Sequence, residues 1–359
     1  MSTLKVNNII DVAGITTVSI GSGSLSTNDI KVTTINSGPI GADKNKIING
    51  AMEIEQRNSG VSTSISGGNS YLVDRWRAVI NTSSSASFQR VADAPPGFKY
   101  SLQYTTTTTK TPASTDNANI QQIIEGQNIT DFAFGTSSAK SITLSFWAKS
   151  SVSGTFSAAL RSFDGTNLRS YTFTYIINSP NTWQYVTVTA PGDIVLIPAF
   201  DNTQGFCVIF NVGAGSNLQT TTLNTWQSGN LFGTPSSVSL ISILNATFQI
   251  TGVQLEIGTI ASPFQRRSYG LELMLCQRYY QTLPTITYST FINNATAINT
   301  YLFSVTMRTA PTINGTLTAN PGSPSIDNIS NSGFNLNSNT SQFSNVNVTL
   351  SNGTASAEI

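Results

Sequence analysis

Strand signals recur roughly every 8–15 residues between positions 46 and 276, with Gly, Pro and Asn between them. That rhythm limits the fold more than any other feature. The clearest segments are Ser141–Ala148, Gly154–Leu160, Ser170–Ile176, Thr182–Thr189, Phe206–Phe210 and Ala246–Ile250. Several alternate with period two, which places Ile142, Leu144 and Phe146 on one face of a strand, and Trp183, Tyr185 and Thr187 on one face of another. Many short strands without an intervening helix predict a two-sheet β-sandwich. Gly270–Tyr280 differs: it has good helix formers and no β-branched residue, so one short helix is expected there.

The flanks read differently. Residues 1–45 form an extended β-rich arm with short apolar stretches, such as Leu4 to Ile10, and a further strand at Lys31–Ile35. Gly21–Ser24 and Gly38–Gly41 punctuate it. The arm has too few apolar residues for a core of its own. It either packs against copies of itself or stays a disordered leader. Residues 277–359 suggest a small C-terminal β-domain, with a strand at Thr300–Val305 and an edge strand at Ala310–Ile313. The tract 320–353 is rich in Asn, Ser and Gly around lone apolar residues such as Phe334, Leu336 and Phe343, and a disordered tail is the alternative there.

Charged residues are 10% of the 359, against roughly 25% in an average domain, while apolar residues hold at 39%. The net charge of +1 gives no basic field for nucleic acid. No stretch reaches the ~18 apolar residues that a membrane span needs, and Met1–Lys5 opens without the apolar run of a signal peptide. The chain has no histidine, which removes Ser-His and Cys-His nucleophile pairs and His-ligated zinc. Cys207 lies in the apolar run Phe206–Phe210 and reads as a small buried hydrophobe, although a bond to Cys276 stays open. A glycosidase needs two carboxylates flanking one bond, and nothing in the sequence pairs Glu125, Glu256, Asp164, Asp193 or Asp201. A structural Ca²⁺ has no spacing signature either. No enzyme activity and no cofactor are expected.

Several stretches resemble a recurring pattern of phage and prophage tail proteins. They are Asn45–Arg57 (N-x-I-I-N-G-x-M-x-I-x-Q-R), Tyr71–Trp76 (Y-x-x-D-R-W), Leu144–Ser150, Thr182–Tyr185 and Thr251–Gly258. Ala261–Phe264, Arg267–Glu272, Cys276–Tyr280, Val305–Pro311 and Thr354–Ile359 continue in the same order. Ser2–Ile9 resembles the start of marine cyanobacterial phage fibres. The resemblance implies a virion tail-fibre subunit with a jelly roll like those of carbohydrate-binding modules. It implies a homotrimer joined to other virion proteins through the arm and a host-surface glycan as the target. A head fibre or capsid decoration protein and a depolymerase tailspike are the alternatives.

Tryptophans are the natural sugar-stacking candidates, because a flat apolar ring complements the C–H face of a pyranose. Trp147 follows Phe146 on an alternating strand, so the two face opposite ways. Trp183 stands at a strand start. Trp226, in the polar stretch Leu223–Ser228, is the best exposed candidate. Trp76, beside Asp74 and Arg75, reads as core, and those two as structural.

Overall fold

The computed structural model describes residues 34–35, 38–39, 44–292, 295–340 and 344–359. The expected arm therefore falls largely outside the described residues, as does Phe343. Its last part gives a two-residue antiparallel ladder between β1 (Thr34–Ile35) and β2 (Gly38–Pro39).

Strands β3 (Thr63–Ser66), β4 (Asn69–Tyr71), β5 (Arg77–Asn81), β6 (Ser85–Val91), β7 (Ser101–Thr108) and β8 (Asn117–Glu125) come first. A 3-10 segment at Gly126–Phe132 follows. Next are β9 (Ile142–Ser150), β10 (Gly154–Phe163), β11 (Leu168–Ile177) and β12 (Gln184–Ala190). β13 (Gln204–Ala214), β14 (Trp226–Ser228) and β15 (Thr247–Ile257) complete the set. They pair antiparallel in a seven-stranded sheet, β14-β11-β10-β13-β8-β5-β4, and a six-stranded sheet, β12-β9-β15-β7-β6-β3. This is the expected β-sandwich.

Its core follows from the alternation. Ile142, Leu144 and Phe146 of β9 are wholly buried, as are Phe206, Val208 and Phe210 of β13. Each such side chain contributes roughly 1.5–3 kcal/mol through burial. On β15 the alternation slips by one residue. Phe248 and Ile250 face the core, then Val253 and Leu255 do. A bulge between Thr251 and Gln254 absorbs the extra residue, with Gly252 at φ +62°.

The outer face of the seven-stranded sheet is covered by apolar packing: Ile123, Ala159, Cys207 and Ile209 form a second small core with Phe232, and Leu218 and Ile359 pack on it. Cys207 and Cys276 are both buried and free, so no bond joins them.

Ser268 caps the expected helix, α1 (Tyr269–Gln277), by accepting from the Leu271 N–H. Beyond it lie β16 (Tyr280–Thr282), β17 (Ile286–Ile292), β18 (Ala295–Leu302), β19 (Thr312–Asn320), β20 (Ser323–Asp327), β21 (Gly333–Thr340) and β22 (Ser344–Ser356). β22 pairs with β16, β17 and β19, and β21 lies between β18 and β20. The Asn/Ser-rich tract thus forms strands. Its lone apolar residues recur at alternate positions, so Phe334 and Leu336 meet Val346, Val348 and Leu350 in a separate core. The expected Thr300–Val305 strand stops at Leu302, and Phe303 turns into that core.

A polar cluster ties these C-terminal strands to the sandwich. Glu358 accepts from Arg75 and, at 2.8 Å, from Arg57. Arg75 also donates to Ile123 O at 2.6 Å and stacks 3.4 Å from the Tyr279 ring. Asp74 takes a different partner: its carboxylate accepts from Gln56, while Asn49 Nδ2 donates to its main-chain oxygen. Trp76 is buried and donates to Asn49 O at 3.0 Å. Asn49, Asp74, Arg75 and Glu358 all lie in stretches that carry the tail-protein resemblance, and their role here is architectural.

Candidate functional site

On the outer face of the six-stranded sheet the outward side chains of β9 and β15 are nearly all buried, Trp147 being only partly so, while Tyr185, Thr187 and Thr189 of β12 are exposed. Because Phe146 points inward, Trp147 points out, half-exposed, opposite Tyr185 of the edge strand β12 and Thr251 of β15. The Trp147 and Tyr185 rings are 5.1 Å apart at 45°. Tyr185 is 45% exposed, which leaves much of its ring available.

Two loops bring further aromatics to this face. Phe98 follows Pro95-Pro96-Gly97 and closes a turn by donating its N–H to Pro95 O at 3.0 Å. Phe264 follows Pro263. The two rings meet edge to face at 5.1 Å. Phe98, Phe264, Trp147 and Tyr185 surround a cleft of about 220 Å³ with Ser145 and Gly252 at its base. A Cβ on Gly252 would lie 2.7 Å from Phe98 Cζ and 3.1 Å from Trp147 Cδ1, so the rings can close over this position only because it has no side chain.

The surroundings are polar and charge-balanced. Ser145 lies between Thr187 and Gln254, and Thr143 between Thr189 and Glu256. Lys149 is paired with Asp93 and sits 5.0 Å from the Trp183 ring. Asp93 also accepts from Gln249 at 3.2 Å. Partial burial works against its charged form, but the Lys149 and Gln249 bonds outweigh this and hold the carboxyl below the usual range.

No protein-family profile and no curated protein sequence matches the chain. Solved structures give low-identity likenesses. The enzymatically active domain of bacteriophage CBA120 tailspike protein 4 is 15% identical at a TM-score of 0.31, over 61% of this chain and 22% of that one. This chain therefore spans about a fifth of the tailspike domain it matches. A xylan-binding domain from Paenibacillus barcinonensis is 12% identical at TM-score 0.27, over 57% of this chain and 99% of that one. A family 11 carbohydrate-binding module from Clostridium thermocellum, solved with a mixed-linked tetrasaccharide, is 11% identical at TM-score 0.28, over 55% and 100%.

Of the three expected tryptophans, Trp147 and Trp183 share this outer face. Trp226 does not. It sits on β14 at the edge of the other sheet, half-buried against Phe134, Tyr171 and Phe206. Its Nε1 donates to Pro191 O at 2.7 Å. The sequence marks Tyr185 only by its place on a strand face with Trp183, and gives no role to Phe98 or Phe264. An aromatic placed directly after a Pro-containing turn, as in Pro95-Pro96-Gly97-Phe98 and Pro263-Phe264, is the signal that could have marked two of them.

The acidic residues considered for hydrolysis all have partners within the chain. Glu125 is fully buried and accepts from Arg278 twice at 2.8 Å and from the Tyr279 hydroxyl. Glu256 accepts from Ser262 Oγ at 2.6 Å, and Asp193 from Arg169 Nε at 2.9 Å. Asp164 and Asp201 close local turns, onto Thr166 and Asn167 and onto Thr203 respectively.

Proposed function

We propose that this chain is a non-enzymatic, homotrimeric tail-fibre subunit of a phage particle that binds a host-surface glycan. The aromatic cleft of Trp147, Tyr185, Phe98 and Phe264 carries the reading. Four rings around a cleft whose lining includes Ser145, beside the exposed Thr187 and Thr189 of β12, match the two faces of a sugar: C–H groups that stack and hydroxyls that hydrogen-bond. The cleft is smaller than the ~300–1,000 Å³ of drug-sized ligand pockets, so it takes about one ring at a time. The tail-protein motifs support the particle assignment, and the arm at 1–45 is the segment for trimer and virion attachment. The partnered state of Glu125, Glu256 and Asp193 argues for binding over depolymerisation.

The test uses the labelled full chain on host cells. The chain adsorbs to untreated cells, and periodate oxidation of their surface glycans removes the adsorption. Trp147→Ala weakens it by ten-fold or more while the circular dichroism is unchanged. Adsorption that survives periodate overturns the reading. Light scattering should give about three times the 38.2 kDa chain mass, and deletion of residues 1–40 should stop incorporation into particles.

A further inference from the structure

A second cleft of about 200 Å³ adjoins the first, with Phe264 as their common wall. Asn49, Ala51, Glu53, Arg266, Arg267 and Glu272 complete its lining. Its charges cancel pairwise: Arg266 meets Glu53 at 3.4 Å, and Arg267 meets Glu272 at 3.3 Å.

The two pairs differ in kind. Arg267 and Glu272 are 6% and 11% exposed and lock the chain, because Arg267 also donates to Ile47 O and Asn45 O. Arg266 and Glu53 are 48% and 30% exposed and joined by one long contact. Other guanidinium–carboxylate pairs in the protein, such as Arg57 with Glu358 and Arg169 with Asp193, are far more buried. Stacking holds Arg266 in place: its guanidinium carbon lies 4.9 Å from the Phe98 ring centroid and 5.7 Å from that of Phe264, and it donates to Gly97 O. The flat group therefore extends the aromatic wall of the first cleft and turns its N–H edge toward Glu53.

Building on the glycan reading, we infer that the two clefts form one extended site for an uncharged oligosaccharide of at least two rings. One ring stacks on Trp147 and Tyr185, and the next lies beyond Phe264 with adjacent hydroxyls on Arg266 and Glu53. A rigid donor edge beside an acceptor carboxylate fits a pair of neighbouring hydroxyls, one of which accepts while the other donates. The same balance disfavours an acidic sugar. A ligand carboxylate would have to displace Glu53 from Arg266, or lie against Glu53 and Glu272 as a like charge. The ion pair Lys149–Asp93, on the same sheet face as Trp147, is also compensated.

The test is titration calorimetry of the full chain with neutral glucose, mannose and galactose ligands as the one-ring methyl glycoside and as the four-ring fragment, each beside its C6-oxidised uronate form. A neutral tetramer should bind better than its one-ring glycoside and better than its uronate form, and its affinity should change little with added salt. Arg266→Ala and Glu53→Gln should each lower tetramer affinity on the order of ten-fold and change one-ring affinity far less, with unaltered circular dichroism. Trp147→Ala should abolish both. Uronate forms that bind more tightly overturn the inference, and so does tetramer binding that is indifferent to both substitutions. In either case Trp147-dependent binding leaves the glycan reading standing. A failure of every probe to bind, or binding indifferent to Trp147→Ala, overturns both together.

Discussion

Arg75 and Glu358 meet in a buried ion pair although 283 positions separate them in the chain. The pair joins the start of the sandwich to the strand region beyond α1, and Arg57 adds a second guanidinium to the same carboxylate.

Glu358→Ala should therefore cost about 3–5 kcal/mol, because it leaves Arg75 as an uncompensated buried cation, whereas Arg57 keeps Asp74 at 3.9 Å. Urea unfolding followed by far-UV circular dichroism checks the size of the loss. The variant should also unfold in two steps, with the C-terminal strands released first, where the wild type unfolds in one. An unchanged midpoint would show that the cluster is not what couples the two parts.

Gly252→Ala should cost roughly 1–3 kcal/mol, since a left-handed backbone and a tight contact with Phe98 act together. Glycan affinity should fall further than stability, because the Phe98 and Trp147 rings must move apart. Melting curves and calorimetry on one preparation separate the two effects.

Trp226→Ala should behave in the opposite way to Trp147→Ala. Loss of its packing on Phe134, Tyr171 and Phe206 should cost on the order of 3 kcal/mol and leave glycan affinity intact in the folded fraction. Tyr185→Ala should weaken glycan binding with little change in the melting temperature, because the ring is 45% exposed on an edge strand.

The Lys149–Asp93 pair gives a sign for the acid limb. The Asp93 carboxyl is depressed in the folded protein, so its contribution is present above the unfolded value of about 3.9 and is lost as pH falls through the folded value. Asp93→Asn should therefore lower the urea midpoint at pH 6 and have little effect at the most acid pH at which the chain stays folded. Trp183 fluorescence should report the opening of the pair, since Lys149 lies 5.0 Å from its ring.

Much of the fold is legible in the sequence because period-two alternation specifies which face of each strand is buried. Ile142, Leu144 and Phe146 show this directly, and the slip at Gly252 is visible as apolar residues changing from even to odd positions. Trp147 follows from the same rule. The cleft as a whole does not. Phe98 and Phe264 come from loops separated by more than a hundred residues, and a turn fixes where a ring leaves the strand without saying which sheet face it crosses. Trp226 in a polar stretch looks exposed, but its neighbours on the sheet edge come from β11, β13 and the segment after Phe132, which no local pattern reveals.

The shallowness of the aromatic cleft has a consequence for adsorption. A site that holds about one or two rings lets go quickly, so a single engaged cleft would keep a particle at a cell only briefly. On the proposed trimeric fibre, three copies would turn that brief hold into a steep dependence on receptor density. Sparse glycan would let the particle move on, and a dense coat would arrest it.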